Sequence, residues 1–146
     1  MIQLARSTNN GMPEYCISVV ESLLNSINLS LRGTAVLIIG VAYKKNVEDT
    51  RESPFYDFKE ILTKRGAKVD IYDNWVKTHN TVDTLEEGLS KATAVIIVTD
   101  HSDIIDQLRT TNFSLYQVKA LFDGRNCLDP LMLSSHGIVY SGVGRR

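Results

Sequence analysis

Residues 33–40 read Gly33-Thr-Ala-Val-Leu-Ile-Ile-Gly40, an unbroken apolar run from Ala35 to Ile39 between two glycines. A strand with one wet face would alternate apolar and polar residues. This run does not, so it fits a strand covered on both faces, as in a parallel sheet. Downstream lies a charged loop, Lys44 to Glu52. Ser53-Pro54 then opens a helix, Ser53 as the cap and Pro54 at the first helical position. Phe55, Phe58, Ile61 and Leu62 share one face of it, and Gly66 stops it. Ala67, Val69 and Ile71 alternate with polar neighbours and read as the next strand.

Upstream, Cys16, Val19, Val20, Leu23, Leu24 and Ile27 recur at helical spacing and predict a helix from Met12 to Ile27. The polar residues before it read as a flexible lead-in. Beyond Ile71, a turn-rich stretch from Asp73 to Asp83 leads to a short helix at Thr84 to Lys91. A strand at Ala94 to Val98 and a helix at Ser102 to Leu108 follow. Two late strands, Val118 to Phe122 and Ile138 to Tyr140, flank the loop Asp123-Gly-Arg-Asn126. Alternation of this kind predicts a Rossmann-like, doubly wound α/β domain. Its sheet is mainly parallel, of about five to six strands, with helices on both faces and an N-terminal lead-in helix.

The chain has 146 residues, with Lys+Arg 16 against Asp+Glu 17 and a net charge of -1. That balance excludes a globally basic nucleic-acid binder. The length suits one α/β domain, so a function that needs a cofactor domain plus a substrate domain is not complete within it. Cys16 and Cys127 are far apart and form neither a disulfide framework nor a zinc signature, which makes a reducing, cytoplasmic setting the expectation. No secretory signal is visible. The longest apolar stretch falls far short of the ~20 residues that span a bilayer. His79, His101 and His136 are dispersed without metal-ligand spacing and read as solvated loop residues.

In an open parallel sheet, ligands bind beyond the carboxyl ends of the strands. The loop after the first strand, Gly40 to Pro54, has a single glycine, so the G-x-G-x-x-G of a dinucleotide site is missing. It carries Lys44, Lys45 and Arg51 and runs into a helix start, a combination suited to an anion. The same charges also suit solvated pairing with Glu48, Asp49 and Glu52, and spacing alone leaves both readings open. A phospho-acceptor receiver domain has a similar size, but it needs a pair of acids at the first strand, and Asp73 and Asp100 follow other strands. Cys16 reads as a small core residue, and no histidine lies near Cys127 in sequence to activate it. Tyr72 and Trp75, at a strand end, suit either base stacking or packing.

The segment Gly40-Val-Ala-Tyr-Lys-Lys-Asn-Val-Glu-Asp-Thr-Arg-Glu-Ser-Pro54 resembles the signature of the C-terminal, UDP-binding domain of UDP-glucose/GDP-mannose dehydrogenases. The pattern continues in Arg65-Gly-Ala-Lys-Val-Asp-Ile-Tyr-Asp73, in Ala94-Val-Ile-Ile-Val-Thr-Asp-His101 and in Phe122-Asp-Gly-Arg-Asn126. Asn9-Asn-Gly-Met-Pro-Glu-Tyr15 is similar to the end of the family's central dimerisation region.

The resemblance implies residues 1–32 as the end of that dimerisation region and residues 33–146 as the UDP-binding domain. It implies part of an NAD-dependent oxidoreductase that takes the C6 alcohol of a UDP-sugar to a uronic acid for polysaccharide biosynthesis. The catalytic cysteine and most of the NAD site would lie in an N-terminal domain this chain lacks, so the chain would not turn over alone. Tyr43, Lys44 and Arg125 would contact the UDP-sugar, with Lys44 on its pyrophosphate and Arg125 reaching the substrate of its own or of a neighbouring subunit. Arg51 would lie at the cofactor side, near the NAD phosphates. Tyr43-Lys44, where UDP-glucose enzymes have Phe-Lys, together with Met12-Pro13 leans towards the branch acting on UDP-N-acetylhexosamines. A homodimer is implied for the full-length enzyme, without nucleic-acid or membrane partners. The competing expectation is a structural, dimerising fragment with no ligand of its own. In that case the helix from Met12 exposes its apolar face unless it folds back or pairs.

Overall fold

In the computed structural model, residues 2–143 are described, with side chains from residue 11 onward. Its elements are α1 (Ile2–Asn25), β1 (Ala35–Ile39), α2 (Phe55–Lys64), β2 (Lys68–Tyr72), α3 (Leu85–Lys91), β3 (Ala94–Ile97), α4 (Ser102–Thr110), β4 (Ala120–Asp123), α5 (Pro130–Ser135) and β5 (Val139–Gly142). A single 3-10 turn, Phe113–Leu115, precedes β4. The five strands form one sheet in the order β2-β1-β3-β4-β5. Every neighbouring pair is parallel, with Val36 opposite both Val69 and Ala94, and Ala94 opposite Ala120. The predicted doubly wound α/β class therefore holds, with five strands.

β1 sits inside the sheet and is buried as its composition required. Val36 and Ile38 face a core shared with Cys16, Ile17, Val20 and Leu24 of α1 and Phe55, Phe58 and Leu62 of α2. Leu37 and Ile39 face the opposite core, with Leu85 and Leu89 of α3, Ile104 and Leu108 of α4 and Leu133 of α5. Alternate side chains of one strand thus feed two layers.

Two helices differ from the sequence reading. The first begins at Ile2, so the expected flexible lead-in is helical, and Pro13 lies inside the helix. A proline there removes one backbone hydrogen bond. What offsets the loss is tertiary: the stripe from Cys16 to Leu24 folds back onto the sheet, and Pro13 itself is buried. Of the outcomes expected for this apolar face, exposure, folding back or pairing, folding back is the one realised. The second difference is α5, which the periodicity did not reveal because it is so short. Its start signal was present, since Asp129 accepts from the Leu131 amide at 3.0 Å and Pro130 opens the helix. A parallel β4–β5 pair also demands a crossover, and α5 provides it.

The expected ends of α2 are realised. Ser53 Oγ accepts from the Phe55 amide at 3.2 Å, a cap worth about 1 kcal/mol. At the other end Gly66, at φ 88°, turns the chain in the left-handed region. Its amide reaches the Thr63 carbonyl, and the Ala67 amide reaches that of Leu62.

Candidate functional site

The strand order reverses between β1 and β3, which opens a crevice at their carboxyl ends. The loop after β1 is anchored there residue by residue. Gly40 has φ 101°, and a Cβ on it would collide with the backbone and Cβ of Thr99. The Val41 and Ala42 amides donate to Asp73 Oδ2 at 2.7 and 3.2 Å. The Ala42 carbonyl accepts from Thr99 Oγ1 at 2.7 Å and from Ser53 Oγ at 3.4 Å. The Tyr43 amide closes the loop onto the Asp49 carbonyl at 2.7 Å. These bonds hold the base of the loop and leave Tyr43 and Lys44 exposed.

Asp73, the first residue after β2, is fully buried and also accepts from the Trp75 and Val76 amides and from His101 Nε2. Burial pushes its carboxyl up. The hydrogen bonds from His101 and from the Val41, Val76 and Trp75 amides outweigh that and hold it below the usual carboxylate value.

Asp123, the last residue of β4, plays the matching part at the other side. It accepts from the Arg125, Cys127 and Leu128 amides at 3.1, 2.8 and 2.9 Å and from the Tyr140 hydroxyl at 3.1 Å. The Asp-Gly-Arg loop is wound about this carboxylate. Arg125 Nε then donates to the Val98 carbonyl at 2.9 Å, and Nη2 reaches the Tyr43 carbonyl at 3.4 Å. The guanidinium thus spans the ends of β1, β3 and β4.

A cleft of about 1100 Å³ lies over these ends. Met12, Pro13 and Cys16 of α1 form one wall, and Ser53, Pro54 and Tyr56 at the start of α2 form another. Tyr43, Lys44 and Arg125 all line it. The structure therefore brings three of the four expected site residues together. Arg51 is apart from that lining. Its side chain is 88% exposed and makes a fork on Asp49, from Nε at 3.1 Å and from Nη2 at 3.0 Å. Of the two open readings of the loop charges, solvated pairing describes Arg51. Lys44 has no ion-pair partner among the described residues and faces the cleft.

Both thiols are held in the protonated form. Burial pushes Cys16 up to about 11, and burial with the nearby Asp123 carboxylate pushes Cys127 up to about 12. Trp75 stacks on His101, with ring centroids 5.9 Å apart, and neither it nor Tyr72 lines the cleft. The reading of His101 as a solvated loop residue is corrected, because it is fully buried. Sequence reasoning missed the parts played by Asp73, His101 and Asp123. The available signal was positional, since Asp73 and His101 lie just beyond the ends of β2 and β3 and Asp123 ends β4. Among the described residues no group of three or more His, Cys, Asp or Glu could hold a metal ion. No described helix is long and apolar enough to cross a membrane.

The model of the UDP-glucose/GDP-mannose dehydrogenase family, UDP binding domain, matches residues 37–130. The chain is 30% identical over 145 residues to the UDP-N-acetyl-D-mannosamine dehydrogenase of Pyrococcus horikoshii, covering 99% of this chain and 34% of that protein. It is 28% identical to the UDP-glucose 6-dehydrogenase YwqF of Bacillus subtilis, covering 88% of this chain and 31% of that protein. Among solved structures, the NDP-N-acetyl-D-galactosaminuronic acid dehydrogenase of Methanosarcina mazei superposes with a TM-score of 0.89 at 29% identity, covering 98% of this chain and 31% of that one. The chain thus spans about a third of the length of the relatives it matches.

Proposed function

The chain belongs to the UDP-glucose/GDP-mannose dehydrogenase family, and from that premise we propose that its cleft holds the UDP part of a UDP-sugar. The observation that carries this reading is the convergence of Lys44 and Arg125, from loops after two different strands, on one cleft. Lys44 supplies a mobile point charge to the diphosphate. Arg125 supplies a planar guanidinium fixed at its base by Val98. Tyr43 lays its exposed ring along the bound substrate.

The full-length enzyme would oxidise the C6 alcohol of the sugar twice to a carboxylate, with two NAD molecules each taking two electrons and a water supplying the second oxygen. The residues present do not fit a dinucleotide cradle. In such a cradle the amides after the first strand face the pyrophosphate, whereas here the Val41 and Ala42 amides are already taken by Asp73. NAD would accordingly be held mainly by residues outside this chain, with Arg51 reaching its phosphates from the cofactor side. Residues 1–32 would end the central dimerisation region of a homodimer, and residues 33–146 form the UDP-binding domain. An N-acetylhexosamine as the sugar is supported by Tyr43-Lys44 and by the N-acetylated sugars after which the Pyrococcus and Methanosarcina relatives are named. A cytoplasmic place in polysaccharide biosynthesis completes this reading.

Titration calorimetry or NMR of this chain with UDP and with a UDP-sugar tests it. Weak binding is expected, because these residues cover about a third of the relatives' length and supply only part of a full set of contacts. Lys44→Ala should weaken it, and NAD should not compete. No response at millimolar UDP would overturn the reading and leave a structural, dimerising role. Sedimentation at varied concentration would then test that role.

A further inference from the structure

His101 is used by none of the steps above, yet it is fully buried and both ring nitrogens are engaged. The Asn46 amide donates to Nδ1 at 2.8 Å. Nδ1 must therefore carry a lone pair, so the ring proton sits on Nε2 and points at Asp73 Oδ2, 3.0 Å away. Trp75 covers one face of the ring. Asp73 Oδ2 also takes the Val41 and Ala42 amides. A single carboxylate and a single imidazole thus grip both sides of Tyr43-Lys44: Val41 and Ala42 before it, and Asn46 after it.

Asn46 adds a second attachment. Its backbone has φ 60°, a left-handed conformation that asparagine tolerates better than most residues. Its side chain exchanges two hydrogen bonds with Ser102 at the start of α4, Nδ2 to Ser102 Oγ at 2.9 Å and Ser102 N to Oδ1 at 3.1 Å. A charged, exposed lysine loop would ordinarily sample many shapes, and ordering it at each binding event would cost affinity. Here hydrogen bonds from the rest of the fold hold the backbone on both sides of Tyr43-Lys44.

We propose that His101, as the neutral Nε2–H tautomer relayed to Asp73, is a positioning residue that presets the Tyr43-Lys44 loop for the diphosphate. It touches no substrate and acts through Asn46. The inference rests on the reading of Lys44 as a diphosphate contact, but its first test does not. The amide oxygen and NH₂ of a glutamine can replace Nδ1 as acceptor and Nε2 as donor, whereas a leucine can replace neither.

Hydrogen exchange of the unliganded chain should show the Asn46 amide protected in the wild type and in His101→Gln, and at least about tenfold less protected in His101→Leu. Nitrogen NMR of the wild-type ring should show the proton on Nε2. UDP affinity should be kept within about twofold by His101→Gln and drop about tenfold in His101→Leu, the effect of one lost hydrogen bond's worth of preorganisation. A ring proton on Nδ1, or a folded His101→Leu with Asn46 still protected, would overturn the inference. So would unchanged UDP affinity in His101→Leu. If His101→Leu does not fold, the ring tautomer and the glutamine variant still decide the matter. A wild type that shows the protection and the tautomer but binds no UDP would overturn the diphosphate reading while leaving the loop architecture intact.

Discussion

Arg125 donates its Nε–H to the carbonyl of Val98 at 2.9 Å, so a side chain from the loop after β4 is moored to the end of β3. A long cation is normally free to wave. This one has its inner nitrogen engaged, and its Nη2 reaches the Tyr43 carbonyl on the loop after β1 at 3.4 Å. The fork is presented by backbone geometry at three strand ends, which makes its shape as important as its charge.

Replacing Arg125 by lysine keeps the charge and removes the mooring and the fork. UDP affinity of this chain should fall about tenfold or more, since hydrogen bonds to charged groups are worth about 1.5–3 kcal/mol. Thermal stability should fall only modestly, by about 1 kcal/mol, because one partly buried hydrogen bond to the Val98 carbonyl is lost while the side chain stays 37% exposed. Calorimetric titration beside a thermal melt measures both, and full affinity in the lysine variant would show that charge alone suffices.

Lys44→Ala should cut UDP affinity and flatten its dependence on salt, while leaving the unfolding free energy within about 0.5 kcal/mol, as expected of an exposed residue with no ion-pair partner among the described residues. Uridine, which lacks the phosphates, should bind the variant and the wild type alike. Titrations at two ionic strengths read the first effect, and a uridine control reads the second. Equal losses for uridine and UDP would place Lys44 on the nucleoside instead.

Asp73 links stability to pH, and the sign follows from its direction. The folded-state carboxyl lies below its ordinary 3.8, so the charged form is favoured by folding. The stabilisation is complete above about pH 4 to 5 and is lost as pH falls through the lower folded value. Asp73→Asn should cost about 2–4 kcal/mol at pH 7, because four amides and His101 lose their anion. It should also flatten the acid limb of a stability-against-pH curve from urea denaturation. An unchanged acid limb would move the acid sensitivity to another carboxylate.

Gly40→Ala should destabilise the chain by about 2 kcal/mol or more, because its φ of 101° and the wall of Thr99 both oppose a Cβ. The damage should reach function as well, since the Val41–Lys44 segment hangs from this turn. Denaturant unfolding gives the first effect and UDP titration the second.

Cys16 and Cys127 should react slowly with a thiol reagent near pH 8 and fast once the chain is unfolded, because their thiols are held up to about 11 and about 12. Timed labelling with and without denaturant measures this. Rapid labelling of the folded chain would show that the protected environment opens readily.

The sequence alone determined the fold class. The run Ala35–Ile39 is apolar at every position, and its shortness and flanking glycines suit a strand buried on both faces better than a helix. It also placed Ser53 and Gly66 at the ends of α2, because capping and left-handed turns are decided by neighbours a few residues away. Tyr43, Lys44 and Arg125 were legible as candidates from the motifs that contain them. Their meeting was not, because residues 43 and 125 come together only when the β1–β3–β4 register sets two loops side by side. The same holds for His101, whose bonds to Asn46 and Asp73 cross 55 and 28 residues. A histidine's role depends on what faces each nitrogen, and no local pattern encodes that. Tertiary structure also let α1 continue through Pro13, since the packing of Met12 and of residues 16–24 against the core outweighs the loss of one helical hydrogen bond.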